Sequence, residues 1–325
     1  MFSRRVLLTS FALATTLGIG GSATGQVYPS RPITMVVPFP AGGPLDAVGR
    51  IVAEGMRTSL GQPIIIENVA GASGSIGVGR VVRAAPDGHT IGIGGWPTHV
   101  VNGAIYPLQY DLLKDLAPVA LISAQPMLIV AKGAMPAHDL KELIAWLKAH
   151  PDKASAAIAG GASHIGSVHF QNVSGTRFQL VPYRGAGPAM KDLVAGHIDM
   201  MIDLAANSLP QVRTGTIKAY AVTARSRLAP APDVPTVDEA GLAGFYISSW
   251  FALWVPARTP NQAIGKLNAA VVSSLGDPAV RQRLAELGQE IPAREQQTSE
   301  ALGAFHKAEI EKWWPVIKAA NIKAE

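Results

Sequence analysis

The chain has 325 residues, of which 48% are hydrophobic and none is cysteine, and its formal net charge is +5 from 28 basic and 23 acidic residues. The basic residues are spread along the chain without a cluster, which argues against a nucleic-acid partner. The lack of cysteine excludes a disulfide and a lipoprotein anchor. A chain of this length exceeds what one hydrophobic core usually serves, so two lobes are expected.

The first 25 residues have the three-part pattern of a secretory signal peptide. Arg4 and Arg5 precede an apolar run over 6–19, and small residues follow as far as Gly25. The pattern predicts cleavage before Gln26 and export to the periplasm, by the Sec route or, because of the arginine pair, by the twin-arginine route. The mature chain keeps 26 basic and 23 acidic residues, a mild excess that suits an anionic small molecule.

The segment 35–50, MVVPFPAGGPLDAVGR, predicts a short buried strand, a turn of proline and glycine, and then a helix. The predicted helix begins near Pro44, because a first helical turn accepts proline, and ends at Gly61. Its N-terminus carries free peptide N–H groups and about +0.5 of an elementary charge, so it could bind an anion. The alternative is an ordinary strand-to-helix turn without a ligand.

Two further strands are predicted over 63–67 and 90–94, separated by a small-residue turn over 68–75 and a short helix ending near Val82. This alternation predicts a parallel sheet with helices on its faces. Ligands of such sheets bind at the carboxyl ends of the strands, where these turns lie. Trp96 stands at one of these ends, as either a ligand platform or a core residue.

Two long apolar segments, 118–131 and 246–256, are predicted to cross between the lobes. The expected architecture is an α/β fold whose first lobe is discontinuous, residues 26–122 plus 250–325, and whose second lobe is residues 123–249. Two crossing strands would provide a hinge and leave a ligand cleft between the lobes.

The second lobe repeats the opening motif with a strand over 154–159, a glycine turn and a helix over 164–173. Ser163 is the predicted N-cap of that helix, and its hydroxyl would meet an anion. Arg184 follows the next strand in a glycine-rich turn, where a guanidinium could grip a carboxylate. The alternatives for Arg184 are a surface position or an ion pair with Asp203. The other predicted elements are a helix over 139–149, strands over 178–182, 197–203 and 217–223, a helix over 189–195, and three C-terminal helices that begin at Thr259, at Asp277 and at Thr298 or Ser299.

The sequence contains no G-x-S-x-G, Walker A, H-E-x-x-H or G-x-G-x-x-G motif. The eight histidines show no spacing typical of metal ligands. Accordingly no catalytic residue, metal or cofactor is predicted.

Several short blocks, taken together and in order, resemble those of Bug-type (TctC-like) receptors, the extracytoplasmic substrate-binding proteins of tripartite tricarboxylate transporters. The blocks are YPSRPI at 28–33, PFPAGGPLD at 38–46, PDGHT at 86–90, VPYRGA at 181–186, PDVPT at 232–236 and EAG at 239–241. Each block alone is weakly specific, but the ordered set covers essentially all of the mature chain.

The resemblance implies a Venus-flytrap fold whose lobes close on a carboxylate, held by one loop from each lobe through backbone amides and ordered water. The ligand-binding residues that it implies are Phe39, Ala41, Gly42, Gly43, Leu45, Asp46, Ser73, Trp96, Thr98, Gly161, Ser163, His164, Arg184, Gly185 and Asp203. Two residues depart from the family pattern. Leu45 stands where the family often has a small polar residue, and Trp96 would add an aromatic wall that admits a bulkier acid.

The resulting expectation is a monomeric periplasmic receptor that captures a small organic acid and delivers it to the membrane permease subunits of a tripartite transporter. Two alternatives stay open at this point. One is an exported enzyme on the same scaffold, and the other is a sensor receptor that passes the closed state to a signalling partner.

Overall fold

A computed structural model describes residues 28–319, so the predicted signal peptide over 1–25 lies outside the described residues. Nine strands in this range form one curled sheet. The strands are β1 (Ile33–Val37), β2 (Ile64–Asn68), β3 (Thr90–Gly95), β4 (Leu116–Lys132), β5 (Ser155–Ile158), β6 (Gln179–Pro182), β7 (Met200–Leu204), β8 (Ile217–Val222) and β9 (Ser248–Pro256).

Helices cover both faces of the sheet. They are α1 (Pro44–Leu60), α2 (Ser75–Val82), α3 (Asn102–Ile105), α4 (Leu140–Ala149), α5 (Gly161–Ser174), α6 (Ala186–Ala195), α7 (Ala205–Arg213), α8 (Asn261–Gly276), α9 (Pro278–Glu286) and α10 (Ser299–Ala319). Short 3₁₀ turns occupy Ala72–Gly74 and Arg294–Gln297, and a π-helical turn occupies Pro97–Val101. Within residues 28–319, no helix has both the length and the apolar character that crossing a membrane requires.

The sheet joins two parallel halves through an antiparallel centre. Its strand order is β2-β1-β3-β9-β4-β7-β5-β6, with β8 also paired to β4. Strands β1, β2 and β3 are parallel to one another, as are β5, β6 and β7, whereas β9 and β4 run antiparallel to their neighbours. The carboxyl ends of each parallel set therefore meet at one edge, where ligand sites form in such sheets.

The long strand β4 belongs to both lobes. It pairs with β9 as far as Pro126, and from Met127 onward it pairs with β7 and β8 instead. The prediction of a two-lobed fold with two crossing strands is confirmed. A rotation of the lobes would bend these two strands.

Each lobe buries its own apolar layer. In the first lobe, Met35 and Leu253 of the sheet pack with Val48 of α1 and Leu267 of α8, all fully buried. The two helices lie so close that a Cβ added at Gly55 would meet the side chain of Ser274. The second lobe has an equivalent layer between its strands and helices α6 and α7.

Helix α1 forms as the sequence predicts. Gly43 is its N-cap, Pro44 is its first residue, and Gly61 ends it in a left-handed conformation with φ 66°. Asp277 caps α9 by accepting hydrogen bonds from the N–H groups of Ala279 and Val280.

Several features differ from the sequence prediction. Helix α7 was not predicted, because its sequence AANSLPQVR contains an internal proline and no regular apolar period. The segment after Trp96 is helical rather than an open loop. Helix α5 begins at Gly161, three residues before the predicted start, so its N-cap is Gly160 and not Ser163.

Candidate functional site

A cavity lies between the two lobes at the carboxyl ends of the parallel strands. Its volume, including the open space at its mouth, is about 580 Å³. Both lobes contribute to its wall. The first lobe supplies Phe39, Pro40, Gly43, Pro44, Leu45, Gly95, Pro97, Thr98 and Phe251. The second lobe supplies Met127, Ala159, Gly160, Ala162, Ser163, Ala186, Asp203 and Leu204.

Helices α1, α5 and α6 begin at this cavity, and Leu204, the N-cap of α7, also lines it. Pro44 opens α1, Ala162 and Ser163 lie in the first turn of α5, and Ala186 opens α6. A helix N-terminus presents unpaired peptide N–H groups and a positive partial charge. The cavity therefore offers an anion several backbone donors, without a basic side chain among its lining residues.

The structure brings six of the predicted site residues to this cavity: Phe39, Gly43, Leu45, Thr98, Ser163 and Asp203. Ser73, Gly161 and His164 line a smaller neighbouring cavity of about 320 Å³, which shares Gly160 with the first. Ala41, Gly42, Asp46, Trp96, Arg184 and Gly185 line neither cavity.

Loops from opposite lobes touch each other over the cavity. A Cβ added at Gly185 would lie 2.7 Å from Cδ of Pro40, and one at Gly160 would lie 3.4 Å from the ring of Phe39. A Cβ at Gly187 would approach the backbone carbonyl of Gly42 to 3.4 Å. Residues 39–43 and 185–187 thus form a closed lid, and of these three glycines only Gly185 leaves no space for a Cβ.

Asp46 serves the loop and not the cavity. Its carboxylate accepts hydrogen bonds from the Gly42 N–H at 2.9 Å, from the Arg50 guanidinium at 3.0 Å and from the Asn68 amide at 2.9 Å. The Asn68 amide also donates to the Phe39 carbonyl at 3.0 Å. Burial alone would raise the pKa of Asp46, but these bonds outweigh burial and lower the pKa below its usual value.

The Gly42 N–H lies before the α1 N-cap, Gly43, which makes no side-chain cap hydrogen bond, so the Asp46 carboxylate does not occupy the first-turn N–H groups of α1. Sequence reasoning missed Arg50 and Asn68 as partners. The four-residue spacing of Asp46 and Arg50 on a helix was a usable signal for the first partner. Asn68 comes from the end of β2, and only the parallel pairing of β1 with β2 brings it close.

Trp96 does not form a wall of the cleft. Its side chain is fully buried, with its ring centroid 5.0 Å from that of Trp313 in an edge-on contact. Phe39 and Phe251 are the aromatic residues that line the cavity instead. The two C-terminal tryptophans, Trp313 and Trp314, are packing residues, and Trp314 donates to the Val100 carbonyl at 2.9 Å.

Arg184 is exposed and lies outside both cavities, so this closed arrangement does not place its guanidinium in either of them. The alternative ion pair with Asp203 does not form either, because that carboxylate is only 2% exposed and has other partners.

Ser163 forms hydrogen bonds within its own turn. Its hydroxyl accepts from the Ala159 N–H at 2.6 Å and donates to the Gly160 carbonyl at 3.0 Å.

Thr98 connects the cavity to a buried aromatic group. Its hydroxyl accepts from the Gly95 N–H at 3.1 Å and lies 2.9 Å from Nδ1 of His99. The His99 ring stacks on Trp254 at a centroid distance of 4.6 Å. Burial, aided by the neighbouring His306, lowers the pKa of His99 well below its usual value, so the imidazole is neutral near pH 7.

Asp203 is the one ionisable side chain among the lining residues. Oδ2 of its carboxylate accepts from the Asn207 amide at 2.7 Å and from the Ser208 hydroxyl at 2.6 Å. Burial raises the pKa of Asp203 to about 6 despite these bonds. Both partners lie on α7, the helix that sequence reasoning did not find.

No three His, Asp or Glu side chains between residues 28 and 319 are grouped in a way that could hold a metal ion. The arrangement as a whole is a lidded, largely apolar cavity with backbone donors at helix starts and one buried carboxyl. Such a site can bind an anion, and it shows no paired nucleophile and base among its lining residues.

Comparison with known proteins gives consistent matches along the chain. Residues 48–322 match the model of the tripartite tricarboxylate transporter family receptor. The solved periplasmic binding protein BugD is 37% identical, with a TM-score of 0.87, covering 92% of this chain and 100% of its own.

Two solved proteins of Rhodopseudomonas palustris are also similar. MatC, solved with malate, is 40% identical with a TM-score of 0.85, covering 89% of this chain and all of its own. A second R. palustris protein, solved with adipate, is 31% identical with a TM-score of 0.87, covering 91% of this chain and 99% of its own. This chain therefore belongs to the Bug-type receptor family of the tripartite tricarboxylate transporters.

Proposed function

We propose that this protein is a periplasmic solute-binding receptor that captures a small organic acid between its lobes and delivers it to a membrane permease. The observation that carries the proposal is the lidded cavity at which helices α1, α5 and α6 begin. Each helix start stabilises a negative charge by about 0.3–1 kcal/mol, and by more when water is excluded. Together they favour a carboxylate over a neutral or cationic solute.

The two R. palustris proteins support the same class of ligand. One was solved with malate and the other with adipate, and both molecules are dicarboxylic acids. They differ in length and in the hydroxyl of malate, so family membership alone leaves the ligand open.

Capture proceeds by closure about β4 and β9. In the open state the loops 39–43 and 185–187 are apart, and the cavity is accessible. The acid shifts the equilibrium towards the closed state only by the contacts that it makes better there. The lobes that move are residues 26–122 plus 250–325 and residues 123–249.

The predicted site residues take several roles in this proposal. Phe39, Gly43, Leu45, Thr98, Ser163 and Asp203 surround the acid, and Ser73, Gly161 and His164 extend the site into the smaller cavity. Ala41, Gly42 and Gly185 act through the backbone contact that closes the lid. Asp46 positions the first loop, and Leu45 keeps the rim apolar.

The receptor acts outside the cytoplasmic membrane, after removal of residues 1–25, as a monomer whose partner is the permease subunits of a tripartite transporter. It binds its ligand without turnover. The family and the similar solved structures are of binding proteins, which supports this reading over an exported enzyme.

Calorimetric titration tests the proposal. The mature protein is unfolded and refolded to remove any carried-over ligand, then titrated with di- and tricarboxylates, acidic amino acids and aromatic acids. Saturable binding of one class of acid, with the acid recovered unchanged by NMR, is expected. Chemical conversion of the bound acid, or failure of every acid to bind, would overturn the proposal.

A further inference from the structure

We infer that the ligand carries a hydrogen-bond donor, a hydroxyl or an ammonium group, close to its carboxylate, and that Asp203 accepts this donor. The inference rests on the proposed function and specifies the chemistry of its ligand. It concerns the one polar feature of the cavity that a plain carboxylate cannot use.

Asp203 presents an acceptor to the cavity. Its carboxylate is at the end of β7, and both side-chain donors from α7 meet Oδ2. The N–H of Leu204 also donates to this carboxylate, whose two oxygens together can accept about four hydrogen bonds, so the carboxylate keeps acceptor capacity. A buried carboxylate is poorly solvated, so a ligand that supplies a further donor to it gains affinity.

The charges around the cavity decide which ligand group can lie there. Its lining residues include no lysine, arginine or histidine that could neutralise Asp203. A ligand carboxylate placed against Asp203 would set two negative charges together in an apolar space, among Met127, Leu204 and Phe251. The ligand carboxylate therefore belongs at the helix starts, and a donor belongs at Asp203.

The two positions are close to each other. The amide of Asn207 donates to Oδ2 of Asp203 at 2.7 Å and also lies 3.3 Å from the carbonyl of Ala186. Ala186 is the first residue of α6. A single side chain thus spans the acceptor and one of the helix starts. A 2-hydroxy or 2-amino acid carries its donor on the carbon next to the carboxylate, which fits this spacing.

The test compares acids that differ only in the donor. Malate, aspartate and succinate form one set, and mandelate and phenylacetate form another. Each is titrated calorimetrically into the wild-type protein, Asp203→Asn and the control Asp233→Asn, which also removes one negative charge but lies exposed in a surface loop. Comparing malate with aspartate shows whether the donor is a hydroxyl or an ammonium group.

In at least one set, the wild-type protein is expected to bind the donor-carrying acid tenfold or more tightly than the acid that lacks the donor. Asp203→Asn should reduce that ratio to threefold or less, and Asp233→Asn should retain it. Equal affinity within every set for the wild-type protein, which needs no variant, would overturn this inference and leave the proposed function standing. An unchanged affinity ratio in folded Asp203→Asn would also overturn this inference and leave the proposed function standing. Failure of every acid to bind would overturn both the inference and the proposed function.

Discussion

Two buried aspartates near the cleft have opposite electrostatics. Asp46 is 4% exposed and is held by Arg50, Asn68 and a peptide N–H, which lower its pKa. Asp203 is 2% exposed and has only neutral donors, so burial raises its pKa to about 6. The ionised carboxylate of Asp46 therefore stabilises a loop, whereas the ionised carboxylate of Asp203 destabilises the ligand-free protein.

Asp203→Asn is expected to stabilise the ligand-free protein, and more so at high pH. The folded pKa is raised from 3.8 to about 6, so stability is greatest below pH 4 and falls as the pH rises through 6. At 1.36 kcal/mol per pKa unit, the variant should gain about 2–3 kcal/mol relative to wild type between pH 4 and pH 7.5. Urea unfolding at the two pH values measures the change.

The decisive quantity is the difference in the free energy of unfolding between Asp203→Asn and the wild-type protein, because all other groups titrate alike in both. A difference that stays constant between pH 4 and pH 7.5 would mean that Asp203 is hydrated and ionised normally in the ligand-free protein.

Asp46→Asn is expected to have the opposite effect near neutral pH. The folded pKa of Asp46 lies below 3.8, so its stabilisation is present above the unfolded pKa and is lost as the pH falls through the folded one. Loss of the charge-assisted bonds should lower the free energy of unfolding by about 1–3 kcal/mol at pH 7. The loss should shrink towards pH 3 in the same urea assay, and equal stability at pH 7 would show that Asp46 does not hold the loop.

Arg184→Ala should leave the affinity for the captured acid within about twofold, as for exposed substitutions in general. The reason is that Arg184 is exposed and lies outside both cavities in the closed arrangement. Calorimetry with the best acid checks this. A clear loss of affinity would return Arg184 to the site through a contact that forms only with ligand bound.

At the scale of elements, the lid depends on two backbones that come very close. Gly185 has an extended φ of 169°, so its need for glycine comes from space and not from an unusual dihedral angle. The obstacle to a side chain there is the ring of Pro40, which cannot swing aside.

Gly185→Ala should therefore hinder closure and weaken acid binding at least tenfold, about 1.4 kcal/mol. Gly265→Ala is the matched control, because a Cβ at that position in α8 meets nothing within 4 Å. Both variants should unfold cooperatively, and only the first should bind weakly in calorimetry. Equal affinity of the two variants would show that the loops need not touch for binding.

Elements with strong local signals were predictable from the sequence. Helix α1 has a glycine–proline start and an apolar period, and β4 and β9 are long apolar runs. Helix α7 has neither signal, since Pro210 interrupts it and its buried residues are small or polar. Because α7 was not predicted, Asn207 and Ser208 were not recognised as neighbours of Asp203, and the environment that sets the pKa of Asp203 was not predicted.

Contacts between segments that are far apart in the sequence were also not predicted. Phe39, Gly43, Leu45 and Thr98 follow strand ends, and strand ends are visible in the pattern. By contrast, the burial of Trp96 depends on Trp313 from the last helix. No local pattern distinguishes a tryptophan at a strand end that faces a ligand from one that packs beneath a remote helix.

For the whole molecule, the central feature is one sheet shared by two lobes. Between Pro126 and Met127 the long strand β4 changes partner, from β9 to β7 and β8. A buried chain of side chains braces this point, in which the Ser123 hydroxyl donates to Gln289 at 2.6 Å and Gln289 donates to Gln125 at 2.6 Å. The lobes share a buried cluster that includes Trp96 of the first lobe and Ile165 of the second, so rotation about the crossing strands requires adjustment within that cluster.

Small-angle X-ray scattering of the stripped mature protein, with and without the acid found by calorimetry, tests most directly whether the lobes close on that acid. The account predicts a monomer whose radius of gyration falls on binding for the wild-type protein and for Gly265→Ala, and falls little for Gly185→Ala. An unchanged radius of gyration in the wild-type protein, at an acid concentration that calorimetry shows to be saturating, would contradict it.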